Sequence, residues 1–265
     1  GFCDYPLIDG DRLICTPGSP QASVVALDKR TGKEIWRSAN PFGGRCSYAA
    51  VVVADIGGLR QYVAFLEKGL VGLRASDGGL LWSYNRIANG TANSHTPIVR
   101  GDHILAGNGY GTGLALLKLT AKSREIEVQE EHYERISLDA FRDSSLLVND
   151  HLFTCMWGGL PVCLDWQTGQ KAWEPVRLKG RGQAAMIYAD DRLYLRQVDG
   201  RMTLAEASPT AFVDRGSFVP PDQKPASGST FPVIAGGRLY LREEDRLLCY
   251  DIRQDAVDRP ATAAP

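Results

Sequence analysis

The stretch "VALDKRTGKEIW", from Val25 to Trp36, decides the fold, because close copies of it recur along the chain. The best copies are "VGLRASDGGLLW", from Val71 to Trp82, and "VCLDWQTGQKAW", from Val162 to Trp173. The second copy begins 46 residues after the first, and the third begins 91 residues after the second, which is two periods. A repeat of this length is typical of solenoids and propellers.

A second motif runs in step with the first. It is a polar turn followed by a short apolar strand, as in "GDRLIC" from Gly10 to Cys15. Further copies begin at Gly101, Asn149, Asp190 and Gly236. Together the two motifs predict six units, which start near Asp4, Ser47, Ser94, Asp143, Gln183 and Thr230.

Each unit contains about four short strands with turn signals between them and no helical pattern, which favours an all-β protein. Units of this size match the four-stranded antiparallel blades of a β-propeller. We therefore expect a single propeller domain over residues 1–255, followed by a disordered tail at 256–265. The expected blades cover about residues 4–40, 46–88, 93–133, 143–178, 183–220 and 229–255.

The repeated turn can be interpreted residue by residue. Asp28 is expected to accept hydrogen bonds from the N–H groups of the turn, and Gly32 to adopt a positive φ. Trp36 then falls on the fourth strand, where its ring can cover the seam to the next blade. We predict a structural rather than catalytic role for the whole repeated set, which is Asp28, Gly32, Trp36, Gly78, Trp82, Asp165, Gly169, Trp173 and Asp251.

The repeat decays in the other units. In the third unit Arg124 and Val128 stand where Gly and Trp are expected, and the charged run Glu127 to Arg135 is predicted to be a connector between blades. The fifth unit, "LAEASPTAFV" from Leu204 to Val213, lacks both residues. The sixth unit has no convincing fourth strand, so either that blade is three-stranded or residues before Gly1 complete it.

Composition excludes some classes of function. A formal net charge of −1 gives no electrostatic reason to expect nucleic acid or an anionic membrane as partner. No apolar run approaches the roughly 18 residues of a membrane-spanning helix. We expect a monomer with no transmembrane segment.

The six cysteines show no metal-binding spacing. Four of them lie in apolar runs and are expected to be buried, namely Cys15, Cys155, Cys163 and Cys249. Cys3 and Cys46 each precede the first strand of a unit, so a disulfide between neighbouring blades is an alternative for this pair.

The stretches "ALDKRTGKEIW" and "CLDWQTGQKAW" resemble the AxDxxTGxxxW signature of pyrroloquinoline-quinone (PQQ) propeller repeats. That family includes quinoprotein alcohol dehydrogenases and the propeller lipoprotein of the outer-membrane assembly machinery. The resemblance implies an exported protein, periplasmic or attached to the cell envelope. Because family members typically have eight blades, six units imply either a six-bladed ring or six blades of a larger one.

The resemblance also implies what a dehydrogenase would need. Dehydrogenases of the family hold PQQ over Ca²⁺ with Glu, Asn and Asp ligands and a catalytic Asp, and they carry a disulfide between adjacent cysteines. This chain has no adjacent cysteines and no such ligand set that can be placed. Trp157 is the weak candidate for a residue that stacks on the quinone. No cofactor or metal is therefore predicted, and PQQ with Ca²⁺ belongs to the alternative function.

A ligand site is expected where the innermost strands begin, around the mouth of the central channel. The predicted rim consists of Asp4, Tyr5, Tyr48, His95, Arg142, Asp143, Gln183 and Phe231. Neighbouring rim positions are Arg45, Thr96 and Thr230. The alternative is an ordinary solvated funnel with no ligand.

The leading hypothesis is a non-catalytic binding or scaffold module that holds a protein or small-molecule ligand at the channel mouth. The alternative is a PQQ-dependent dehydrogenase that oxidises an alcohol or sugar. A third hypothesis is a hydrolase or lyase in which His95 and Asp143 form an acid–base pair across the channel.

Overall fold

The computed structural model describes residues 5–123, 125–135, 138, 145–221 and 230–253. The expected disordered tail at 256–265 lies outside these residues. The described part of the chain contains strands and turns and no helix, so nothing in it could cross a membrane as a helix.

The strands form successive antiparallel sheets, which we call blades 1 to 6. Blade 1 consists of β1 (Leu7–Asp9), β2 (Arg12–Cys15), β3 (Val24–Asp28) and β4 (Glu34–Ser38). Blade 2 consists of β5 (Val52–Ile56), β6 (Leu59–Leu66), β7 (Gly69–Arg74) and β8 (Leu80–Tyr84). Blade 3 consists of β9 (Ile98–Arg100), β10 (His103–Asn108), β11 (Gly113–Lys122) and β12 (Glu125–Glu134).

The second half of the chain repeats this organisation. Blade 4 consists of β13 (Leu146–Val148), β14 (His151–Met156), β15 (Leu160–Asp165) and β16 (Lys171–Trp173). Blade 5 consists of β17 (Ala184–Ala189), β18 (Arg192–Gln197), β19 (Met202–Glu206) and β20 (Asp214–Phe218). Blade 6 consists of β21 (Val233–Ala235), β22 (Arg238–Glu243) and β23 (Arg246–Asp251).

Every blade follows the chain from its first strand to its last through antiparallel hairpins. The first strands of neighbouring blades approach one another, as β5 and β9 do, and likewise β13 and β17. The first strands are therefore innermost. The predicted all-β propeller of four-stranded antiparallel blades is confirmed, with three strands in the described part of blade 6.

The core is divided among the seams between blades. Five apolar clusters join blades 1–2, 2–3, 3–4, 4–5 and 5–6. Among the described residues no such cluster joins blade 6 to blade 1. Ile8 on blade 1 and Leu247 on blade 6 are 56% and 68% exposed. The outer faces of the first and last blades are thus open.

The seam between blades 1 and 2 shows how the repeat holds blades together. Trp36 is buried, and its indole N–H donates to the carbonyl oxygen of Ala75 on blade 2 at 3.1 Å. Gly78 of blade 2 has φ +73°, and a Cβ on it would lie 2.5 Å from the Trp36 ring. The glycine therefore gives its turn a left-handed residue and also leaves room for the neighbour's tryptophan.

In each of blades 1, 2 and 4 the repeat tryptophan lies on the fourth strand, next to a β-bulge in the pairing with the third strand. The indole N–H groups of Trp82 and Trp173 nevertheless donate to different kinds of acceptor. Trp173 donates to the carbonyl oxygen of Ser208 on blade 5 at 3.1 Å. Trp82 donates instead to the side-chain oxygen of Gln61 within its own blade. Trp82 still packs into the apolar cluster between blades 2 and 3.

The turns of the repeat have the expected local chemistry. The Asp28 carboxylate accepts from the N–H of Thr31 at 2.8 Å and from its hydroxyl at 2.8 Å, and the same pattern surrounds Asp165. These bonds, the Thr31 hydroxyl first, lower the pKa of Asp28. Gly32 and Gly169 have φ of +71° and +69°.

Blade 3 corrects the sequence alignment. The run from Glu127 onward is not a connector but part of the fourth strand, β12, whose edge position keeps charged side chains in water. The β11–β12 hairpin is longer than its counterparts. Counting a fixed number of residues from the turn therefore finds the wrong residue for the tryptophan position in this blade. The ladder places His132, and not Val128, opposite the bulge that faces tryptophan in blades 1, 2 and 4.

The cysteine predictions are confirmed only in part, since Cys15 was expected to be buried and is partly exposed. Cys155 and Cys163 are buried, and burial raises the pKa of the Cys163 thiol to about 12. Cys249 was expected to be buried and is exposed, because it lies on the open face of blade 6. Cys46 forms no disulfide with another described residue, and Cys3 lies outside the described residues, so a disulfide between the two stays a prediction.

Candidate functional site

The described residues that precede the first strands lie at one end of the propeller, together with the turns that join second to third strands. This follows from the antiparallel order, which returns the chain to that end twice in each blade. We call this end the mouth face. Bonds across blades support it, since the Tyr48 N–H donates to the carbonyl oxygen of Asn93 at 3.0 Å. The Ala50 N–H likewise donates to the Thr96 hydroxyl at 3.1 Å.

A polar cleft of about 320 Å³ opens on the mouth face between blades 2 and 3. Its walls are the segment Arg45–Tyr48, Glu67, and the loop from Asn89 to Asn93. The Glu67 carboxylate lies in the same cleft and accepts the Arg45 backbone N–H at 2.6 Å, while the Arg45 guanidinium forms no ion pair with it. The cleft therefore has a cation and an exposed tyrosine, Tyr48, along one wall.

Asn93 is the buried hub of this cleft. Its side-chain N–H groups donate to the carbonyl oxygens of Leu66 at 2.9 Å and Glu67 at 2.7 Å. Its side-chain oxygen accepts from the Asn89 N–H at 3.0 Å and from the side chain of Asn108 at the end of β10. One amide thus fixes the cleft loop to blade 2 and to the β10–β11 turn of blade 3.

His95 is 2% exposed, so it lies beneath the mouth face rather than on it. The Ser145 hydroxyl lies 3.4 Å from Nδ1 of His95 and 2.8 Å from the hydroxyl of Thr154. These contacts join blade 3 to blade 4. Asp143, the predicted partner of His95 in acid–base chemistry, lies outside the described residues.

A buried ion pair joins blades 5 and 6 below the mouth face. Arg196, on β18, forms this pair with Glu243 on β22, and both side chains are buried. Arg196 also donates to the Thr230 hydroxyl at 2.8 Å and to the carbonyl oxygen of Arg242 at 3.0 Å. Burial lowers the pKa of this guanidinium from its usual value and the Glu243 carboxylate opposes that shift, so the group stays charged.

The structure separates the predicted rim residues. Tyr5, Tyr48 and Phe231 are exposed on the mouth face, Gln183 is half-buried, and His95 is buried. Asp4, Arg142 and Asp143 lie outside the described residues. A shared ligand site for the whole predicted rim stays a prediction.

Sequence reasoning missed part of this surface. Tyr110 and Trp157 lie in the β10–β11 and β14–β15 turns, and their ring centroids are 6.3 Å apart with a tilt of 57°. The exposed mouth-face aromatics therefore come from five different blades, at exposures of 39% to 62%, and are Tyr5, Tyr48, Tyr110, Trp157 and Phe231. Tyr110 lies in the glycine-rich run "GNGYGTG". Because that composition is typical of an ordinary hairpin loop, nothing in the sequence indicated that Tyr110 belongs to a binding surface.

The described mouth-face residues do not fit PQQ held over Ca²⁺. No group of three or more His, Cys, Asp or Glu side chains within the described ranges could hold a metal ion. The buried carboxylate at this end, Glu243, is paired with Arg196. Hard cations such as Ca²⁺ need several oxygen ligands at one point, and these residues do not converge in that way.

The fold and the mouth face define a β-propeller with Asp–Thr–Gly turns inside blades 1 and 4 and with outer tryptophans in the seams between blades. The chain belongs to the PQQ_2 family, whose model is described as outer membrane protein assembly factor BamB and matches residues 1–174. The predicted PQQ-like propeller family is thereby confirmed. No curated protein matches the chain in sequence.

Several solved structures share the fold. BamB from Moraxella catarrhalis is 17% identical, with a TM-score of 0.67 over 94% of this chain and 70% of that one. The computationally designed Ika8 protein is 9% identical, with a TM-score of 0.64 over 93% and 70%. Quinohemoprotein alcohol dehydrogenase from Comamonas testosteroni is 14% identical, with a TM-score of 0.58 over 91% of this chain and 51% of the dehydrogenase.

Proposed function

We propose that this propeller is a non-catalytic protein-binding module of the assembly-factor type. It acts as a single domain, is exported to the cell envelope, and holds its partner on the mouth face. The observation that carries this proposal is the set of exposed aromatic side chains that five blades contribute to one end. Exposed aromatics together with arginine are the residue types that dominate protein interfaces.

The energetics of the mouth face support binding rather than chemistry. Its buried polar groups, Asn93, His95 and Arg196, are used in bonds that hold neighbouring blades together. A group fixed in this way can orient a surface but is poorly available to transfer protons to a substrate. The family description as an outer membrane protein assembly factor agrees with a scaffold role.

The first experiment is site-specific photo-cross-linking in cells. A benzoylphenylalanine at Tyr48 or Tyr110 is expected to give discrete protein adducts. The matched control is Tyr188, which is 40% exposed and lies at the opposite end, where its hydroxyl donates to Asp191. Equal adducts from Tyr188, or adducts from neither end, would contradict the proposal.

The dehydrogenase alternative has a separate test. PQQ and Ca²⁺ are titrated into the purified protein, the quinone absorbance is followed, and a dye-linked alcohol assay is run on the same samples. We expect no saturable change and no alcohol-dependent dye reduction. Saturable binding with dye reduction would replace the scaffold function with quinone chemistry.

A further inference from the structure

The Tyr110–Trp157 pair is the most concentrated apolar feature of the mouth face. The two rings are 43% and 50% exposed, and they come from neighbouring blades. The tilted arrangement presents two ring surfaces to solvent rather than one. The two rings contact each other, and the exposed surfaces of the pair offer one apolar side chain of a ligand a place to pack.

Both loops that carry these rings are fixed. Tyr110 has φ +58°, a left-handed backbone that costs a non-glycine residue about 1 kcal/mol and that is enriched at ligand-binding positions. Its loop is held by Tyr133, whose hydroxyl donates to the carbonyl oxygen of Thr112 at 3.1 Å. On the other loop, a Cβ on Gly159 would lie 2.2 Å from the carbonyl oxygen of Gly182. The rings are therefore pre-organised, which reduces the entropy lost on binding.

Arginines border both aromatic positions. Arg135 donates through Nε to the carbonyl oxygen of Gly111 at 3.2 Å, which places its exposed side chain beside the Tyr110 loop. Arg45 lies on the same wall of the cleft as Tyr48. Neither arginine forms an ion pair with a carboxylate in the described part of the chain.

The cleft and the aromatic pair are parts of one continuous wall. Asn108 donates its side-chain N–H to Asn93 in the cleft, and its own side-chain oxygen accepts the N–H of Gly109 at 3.0 Å. Gly109 is the residue before Tyr110. An extended segment that lies along this wall would pass the two arginines in turn, with the aromatic pair beside the second.

We infer that the mouth face binds an acidic, extended polypeptide segment. An apolar side chain of that segment packs on the exposed ring surfaces of Tyr110 and Trp157, and its carboxylates lie against Arg135 and Arg45. Opposite charge on partner and site favours association and excludes segments rich in Lys or Arg. This inference rests on the proposed function and specifies the chemistry of the partner.

The test uses labelled peptides of about a dozen residues in which glutamates flank a leucine. Matched peptides carry glutamine in place of glutamate. Fluorescence anisotropy is expected to show tighter binding of the acidic peptide by about tenfold or more at low salt, and a smaller difference as salt rises. Equal binding of both peptides would overturn the acidic assignment.

Variants locate the anchor. Trp157→Ala is expected to weaken the acidic peptide about thirtyfold, as truncation of a central interface aromatic does. Arg135→Gln is expected to weaken it about fivefold and to reduce its salt dependence. Tyr188→Ala is the matched control and should change nothing, and urea unfolding should show that all three variants remain folded. Unchanged binding by Trp157→Ala would overturn the anchor.

Quenching of tryptophan fluorescence tests the same site without any partner. Trp157 is exposed, whereas Trp36, Trp82 and Trp166 are buried. Relative to quenching of free N-acetyltryptophanamide by the same ions, iodide is expected to quench more strongly than caesium, and this excess should disappear in Trp157→Phe and shrink in Arg135→Gln. Equal quenching by the two ions would contradict a cationic setting. Failure of these tests with successful cross-linking from Tyr110 would remove the acidic partner and leave the binding module.

Discussion

The seam between blades 1 and 2 and the seam between blades 5 and 6 join equivalent sheets with opposite chemistry. The first is closed by Trp36 lying over Gly78. The last is closed by a small apolar cluster and by the buried pair Arg196–Glu243. The repeated motif is thus one way to close a seam, and a buried ion pair can take its place where the motif is lost. The two solutions respond differently to mutation.

The largest expected effect is at the charged seam. Arg196→Met leaves Glu243 buried without its partner and is expected to lower the free energy of unfolding by about 3–5 kcal/mol. Urea denaturation measures this. The double variant Arg196→Met/Glu243→Leu removes both charges and should recover most of the loss. A single variant that costs less than about 1 kcal/mol would show that the pair is not an important part of the seam.

The next effect belongs to the tryptophan seam. Gly78→Ala places a Cβ 2.5 Å from the Trp36 ring on a left-handed backbone, and we expect a loss of about 2–4 kcal/mol. Gly32→Ala is the matched control, because Gly32 has nearly the same φ and nothing within 4 Å of an added Cβ. It should cost only about 1–2 kcal/mol. Equal losses would mean that backbone strain, and not the tryptophan contact, decides.

A smaller effect should come from the seam between blades 3 and 4. His132 stands at the tryptophan position there, its Nε2 is buried without a hydrogen-bond partner, and a cavity of about 10 Å³ adjoins it. His132→Phe removes the unsatisfied nitrogen, so we expect a gain of about 1 kcal/mol in thermal or urea unfolding. Val128→Phe, on the same strand, should give no gain. A gain from Val128→Phe and none from His132→Phe would support the sequence alignment, which places Val128 at the tryptophan position.

The smallest effect concerns an exposed turn of blade 6. Hydrogen bonds from Arg253 lower the pKa of Asp251 to about 2. Because this pKa lies below that of the unfolded chain, the ionised group stabilises the fold above about pH 4, and that stabilisation is lost as pH falls toward 2. An NMR titration of the carboxyl carbon should show the pKa of Asp251 rising in Arg253→Gln. An unchanged titration would exclude the arginine as the cause.

The regular part of the fold could be predicted from sequence because its chemistry is local. Asp28 and Gly32 fix one turn within a few residues, and Asp165 and Gly169 repeat the pair 137 residues later, close to three periods of 46. The position of His132 could not be predicted, because a longer hairpin changes the offset while the ladder keeps the bulge in place. The equivalence of His132 to the repeat tryptophans is visible only from the pairing of residues between the third and fourth strands.

The candidate site was harder to predict for the same reason. Tyr48 and Phe231 precede first strands, which the repeat locates, so both were assigned to the rim. Tyr110 and Trp157 come from turns of different blades, and nothing in either turn records that the rings meet. Arg196 and Glu243 are 47 residues apart in sequence, and no motif announces their pairing.

The contact between Trp36 and Gly78 also bears on how such a chain can grow. The ring belongs to one blade and the space for it to the next, so each sheet carries half of two different contacts. A gene duplication that copies one sheet from first strand to last would set its tryptophan against a turn selected for another neighbour. A duplication that runs from the middle of one sheet to the middle of the next copies the contact whole. The contact is therefore a property of two neighbouring blades rather than of one.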